Sequence, residues 1–178
     1  MPTELDLAIR LEALLAKQAL HELNTAYSRS VDRLDEAAFV ALFHVDAIVD
    51  SGVLRGEPVY FAREFARWIR RHGRVTSHAI TNEWFQIDGD RAVGESYVVA
   101  IARLRGDPKE SDVLTFGRYF DRFERRDGAW KFAERRFVLD HSVTLSTSAE
   151  PLPEPTAPSD GRGAFAPDDP IYRFWPKR

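Results

Sequence analysis

Cysteine is absent from the 178 residues and histidine occurs five times, so thiol chemistry and thiolate metal sites are excluded. Proton transfer by imidazole and carboxylate is the chemistry that remains. An imidazole with an ordinary pKa near ~6.5 is a natural general base at neutral pH. A carboxylate on its other nitrogen fixes the tautomer and stabilises the imidazolium that forms. Residue type and spacing alone single out no such pair: His78 could equally be satisfied by a backbone carbonyl and Asp32 could equally cap a helix, and the two can meet only if the fold joins them. His44, Asp46 and Asp50 are a second group, but they straddle a helix end and a strand and match no standard ligand spacing, so no metal is expected. The chain contains no phosphate-cradling glycine loop, nucleophile elbow or dinucleotide fingerprint, and no cofactor is expected.

The surroundings of His78 read as a strand, in which His78, Ile80, Asn82 and Trp84 share one face. That face suits an aromatic pocket with a few placed polar groups, so Asn82 and Trp84 are expected to line it. Tyr27 lies before Asp32 and either offers a hydroxyl to the pocket mouth or completes an apolar stripe, while Tyr97 and Tyr119 are further sources of hydroxyls. Arg63, Arg67, Arg70, Arg71 and Arg74 form a basic helix side beside Trp68, for which a solvated face or subunit contact is the default. With 25 basic against 28 acidic residues, a net charge of −3 supplies no drive toward nucleic acid or anionic membrane.

The elements that must position these groups follow from periodicity. Leu7, Leu11, Leu14, Leu15, Leu20, Leu23 and Tyr27 recur at helical spacing and predict a long amphipathic helix to about Ser30. A short helix is expected from Asp35, its N-cap, to Phe43, then a strand at Ala47–Asp50 and a third helix from Glu57 to His72 closed by Gly73. Beyond Gly73 the pattern alternates through 75–87, 91–104, 111–124 and 129–143. Turn signals at Asp88-Gly89-Asp90, Gly106-Asp107-Pro108 and Arg126-Asp127-Gly128 separate these segments and predict an antiparallel meander. Strands this long favour a curved sheet that leaves a cavity against the helices.

At 44% hydrophobic and 30% charged residues, the composition is that of a folded globular chain. Seven of the ten prolines follow Glu150, which divides the chain into one domain at 1–148 and a Pro-rich arm at 149–178. Pro151-Leu152-Pro153-Glu154-Pro155 should be extended, and Ile171-Tyr172-Arg173-Phe174-Trp175 is apolar enough to dock on the body or a neighbouring subunit. The acidic start Met1-Pro2-Thr3-Glu4-Leu5-Asp6 lacks a signal peptide's regions and no run is long enough to span a membrane, so a soluble, cytoplasmic protein is expected.

The order helix, helix, strand, helix and long meander resembles the nuclear transport factor 2-like (SnoaL-like) superfamily, and within it the scytalone dehydratase and hexachlorocyclohexane dehydrochlorinase branch. Tyr27-Ser28-Arg29-Ser30-Val31-Asp32 matches the segment ending in that branch's catalytic aspartate, and Val75-Thr76-Ser77-His78-Ala79-Ile80-Thr81-Asn82 matches its catalytic histidine. The hairpin from Tyr119 through Asp127-Gly128 to Phe132 is typical of the superfamily as a whole and carries the fold rather than the chemistry. The resemblance implies an α+β fold, a cone-shaped barrel whose curved antiparallel sheet wraps the N-terminal helices. It also implies an arginine, Arg135, that stabilises a departing anion. Scytalone dehydratase has a second histidine and a tyrosine where this chain has Ala102 and Val31, so the substrate must be gripped differently.

The expectation is a cofactor-independent lyase, dehydratase-like, acting on a small aromatic or alicyclic molecule, with His78 as base oriented by Asp32. Release of formaldehyde from a lignin-derived diaryl compound and double-bond isomerisation use the same dyad. A non-catalytic binding or interaction domain is the rival of another class. Relatives with this dyad are often trimers and other branches dimerise, so a homo-oligomer is expected.

Overall fold

The computed structural model describes residues 3–106, 109–146 and 163–174. Helix α1 (Glu4–Arg33) begins with a capping box: the Thr3 hydroxyl accepts from the Asp6 amide, and the Asp6 carboxylate accepts from the Thr3 amide. It ends where Leu34 takes a left-handed conformation, φ 51°. It is core only from Ala16 onward. Leu20, Tyr27 and Val31 are buried, whereas Leu7, Leu11, Leu14 and Leu15 are exposed, so the apolar stripe outruns the body it packs on.

Helix α2 (Glu36–Ala41) is capped by the Asp35 carboxylate, which accepts from the Ala38 amide at 3.0 Å. It stops before Phe43, which instead opens strand β1 (Phe43–Asp50), because Phe43, Ala47 and Val49 are needed in the core. A short strand β2 (Arg55–Gly56) pairs back on β1, and helix α3 (Pro58–His72) starts with proline in its first turn. Four long strands follow: β3 (Gly73–Asp88), β4 (Arg91–Leu104), β5 (Ser111–Arg126) and β6 (Ala129–Ser146). Asp127 and Gly128 both adopt positive φ in the last hairpin, as a two-residue turn matching strand twist requires.

The architecture is α+β, a six-stranded mixed sheet in the order β2-β1-β6-β5-β4-β3 with β1 parallel to β6. The sheet remains open at β2 and β3, so it wraps the helices without closing into a barrel. Its inner face and the helices bury an aromatic cluster in which Tyr27, Phe39, Phe43, Tyr119, Phe123 and Phe132 meet. Curvature needs one residue without a side chain. A Cβ on Gly117 would lie 2.5 Å from both the Phe137 ring and the Val138 carbonyl, beside the register shift between β5 and β6. Gly117→Ala is therefore expected to lower stability by about 1–3 kcal/mol through overpacking, read as a lower denaturant midpoint.

The described part of the C-terminal arm lies against the end of α1 and against Ala66 and Ile69 of α3. The Ala166 amide donates to the Arg33 carbonyl at 2.6 Å, and the Tyr172 hydroxyl, in helix α4 (Ile171–Phe174), donates to Asp35 at 2.6 Å. Phe165 packs on Leu34, Ala66 and Ile69. Pro151–Pro155 and Trp175 lie outside the described residues. Among the described residues, no helix is long and apolar enough to cross a membrane.

Candidate active site

Asp32 occupies the last turn of α1 and faces Thr76 and His78 on β3. Its Oδ1 receives His78 Nδ1–H at 2.6 Å and the Thr76 hydroxyl at 3.3 Å, and its Oδ2 receives the His78 backbone amide at 3.0 Å. An ionised carboxylate only accepts, so the neutral imidazole carries its proton on Nδ1 and a lone pair on Nε2. The Nε2 atom has no protein partner among the described residues, and His78 lines the cavity.

Behind the dyad sits Arg135, on β6 opposite Asp121 of β5 and only 1% exposed. Its Nε and Nη2 donate to the two Asp121 oxygens at 2.8 and 2.7 Å, a bidentate pair. Nη2 also donates to the Asn24 side-chain oxygen, and the Asn24 amide donates to Glu83 at 2.6 Å. Glu83 in turn meets His21. The guanidinium carbon stands 4.1 Å from the Tyr27 ring centre and 4.2 Å from those of Tyr119 and Phe132, so aromatic faces and Asp121 hold the buried cation protonated. Its remaining nitrogen, Nη1, has no hydrogen-bond partner among the described residues. Burial pushes the Tyr27 hydroxyl above its ordinary pKa and Tyr119 well above, so both phenols stay protonated donors through the neutral range.

These groups border a cavity of about 640 Å³, the size of a small-molecule site. Tyr27, His78, Tyr119 and Arg135 line it, and Tyr27 also packs on Phe39 and Phe43, so it belongs to both pocket and stripe. Val31 and Ala102 line it too and supply apolar surface.

Asn82 and Trp84 do not line it. Between Thr81, opposite Tyr97, and Trp84, opposite Glu95, β3 carries one residue more than β4, and Asn82 absorbs the bulge at φ 46°. The inward face then passes from Thr76, His78 and Ile80 to Glu83, Phe85 and Ile87, which leaves Trp84 outside and 75% exposed. Tyr97 alternates with buried Ser96 and Val98, so it too faces outward, 44% exposed. His44, Asp46 and Asp50 do not converge: His44 Nε2 meets the Glu124 carbonyl at 2.9 Å, Asp46 holds Arg126 at 2.7 Å, and Asp50 accepts from the Gly52 amide at 2.8 Å.

Asn24, Glu83 and Asp121 also belong to the site, though the sequence does not single them out. Asn24 shares the buried α1 face with Leu20, Tyr27 and Val31, and Asp121 shares the inward face of β5 with Tyr119 and Phe123, so each is a polar group on a legible apolar face. Glu83 faces inward only because of the bulge. Its one signal is asparagine at 82, a residue tolerant of left-handed backbone.

A SnoaL-like domain model matches residues 12–136. Among solved structures, a hexachlorocyclohexane dehydrochlorinase (LinA) type 2 superposes with TM-score 0.72 at 20% identity, over 83% of this chain and 99% of that one. The LinA type 3 enzyme of Novosphingobium barchaimii gives TM-score 0.72 at 20% identity, over 81% and 99%. A protein of Novosphingobium aromaticivorans suggested to be a scytalone dehydratase gives 0.65 at 23%, over 79% and 97%. At these identities the superpositions establish a common fold. No curated protein matches in sequence.

Proposed function

The chain belongs to the SnoaL-like domain family, and from that premise we propose that it is a cofactor-independent lyase that eliminates a leaving group from a small aromatic or alicyclic molecule. The observation that carries this reading is the 2.6 Å contact between Asp32 and His78 Nδ1, which leaves Nε2 as a base on the cavity wall. Nε2 takes a proton from a substrate carbon, the C–H electron pair becomes a double bond, and the leaving group departs with the electrons of its own bond. Asp32 stabilises the imidazolium. Arg135 Nη1, without a partner among the described residues, and the mutually hydrogen-bonded hydroxyls of Tyr27 and Tyr119 beside it are the groups that would meet negative charge on the departing atom. A departing hydroxyl takes the proton that Nε2 has just accepted and leaves as water, returning His78 to its neutral form, whereas a halide leaves as the anion and the proton passes from His78 to solvent.

The experiment is a turnover screen of cyclic and benzylic alcohols and chlorides with metal-free protein, read by mass spectrometry as loss of water or hydrogen chloride. The expected result is elimination with no added cofactor. A screen in which turnover appears only when a metal or nucleotide cofactor is added would overturn the reading.

A further inference from the structure

The basic side of α3 has a place in the site that solvation does not explain. Cavity-lining residues that are also exposed mark the mouth, and they are Val53, Arg67, Trp68, Arg71, His72 and Ile101. Two are arginines and none is acidic. The two acidic residues that reach the lining, Asp50 and Glu64, are half-buried and already engaged. Glu64 is shared by Arg63 at 3.2 Å and Arg67 at 2.8 Å, and Asp50 holds the Gly52 amide at 2.8 Å with Arg55 at 3.7 Å. The Arg71 side chain, by contrast, has no ion pair or hydrogen bond among the described residues. The negative end of a helix repels anions, but here Arg105 donates to the Arg70 and Arg71 carbonyls at 2.6 and 3.0 Å and adds a charge of the opposite sign.

The inner end has the reverse character. Arg135 is already balanced by Asp121, and Asp32 and Glu83 add negative charge nearby, so this end can offer a hydrogen bond to charge developing on a departing atom but no net positive charge to hold a ligand carboxylate. Between the two ends the wall is apolar, with Phe65, Val98, Ala100 and Phe137.

We propose that the ligand is an amphiphilic aromatic anion, bound with its apolar body toward His78 and its carboxylate, or a comparable exposed anionic group, at the mouth against Arg71 and the edge of Trp68. The inference rests on the lyase reading only for which end of the ligand reacts. Its test reads binding alone.

Biphenyl-4-carboxylate and its neutral isostere biphenyl-4-carboxamide are titrated calorimetrically into the protein at low ionic strength. The carboxylate is expected to bind about five- to tenfold more tightly, with the gap shrinking as salt is added. Arg71→Gln should remove that preference and leave amide affinity within about twofold of its starting value, while Arg71→Lys should retain most of it. Equal affinity for the two probes, binding of neither, or an equal loss of both in Arg71→Gln overturns the proposal. His78→Ala should preserve the preference, so failed turnover and failed anion recognition give different results.

Discussion

Replacing His78 with alanine is expected to lower kcat/KM for the substrate that the screen identifies by about 10²–10⁴-fold, the range a positioned general base contributes. The imidazole lies at the cavity wall, outside the aromatic cluster, so the variant should keep its melting behaviour. Asp32→Asn discriminates more finely. The amide can still meet Thr76 and the His78 backbone, but it no longer demands a proton on Nδ1, and Nε2 loses its reserved lone pair. A fall of similar order is expected while substrate affinity holds. If His78→Ala turns over substrate at the original rate, another group is the base and the elimination mechanism proposed for this dyad is wrong.

The second large effect is on stability. Asp121→Asn leaves the Arg135 cation buried among aromatic rings with its counter-charge gone, which is expected to cost about 3–5 kcal/mol in denaturant unfolding. Removing both charges in Asp121→Leu with Arg135→Met should restore part of that loss, since aromatic rings surround the pair but the buried Asn24 oxygen loses its donor. The double variant separates two roles. Stability regained with turnover still lost places Arg135 in the reaction, and turnover regained together with stability makes it a structural ion pair alone.

Much of this arrangement is legible in the chain. Helical spacing marks the helices, and alternation and turn residues mark the meander, whereas Asp32 and His78 stand out only through the family resemblance. Spacing and alternation are local signals, set by how far apart side chains must be to share a face. The same rule explains the failures. Strict alternation puts Asn82 and Trp84 on the pocket face, and one extra residue in β3 reverses the parity of everything after it.

By itself, then, the sequence determined the element order, the absence of thiol chemistry and, through the family resemblance, a candidate acid/base pair. Tertiary structure decided that Asp32 grips both the ring and the backbone of His78, that Glu83 turns inward while Trp84 turns out, and that Asp121 shields Arg135. It also decided that Arg67 and Arg71 of α3 stand at the cavity mouth. The physical reason is range: periodicity reports which face a residue takes within its own element, whereas bulges, strand pairing and buried charge compensation depend on partners remote in the chain.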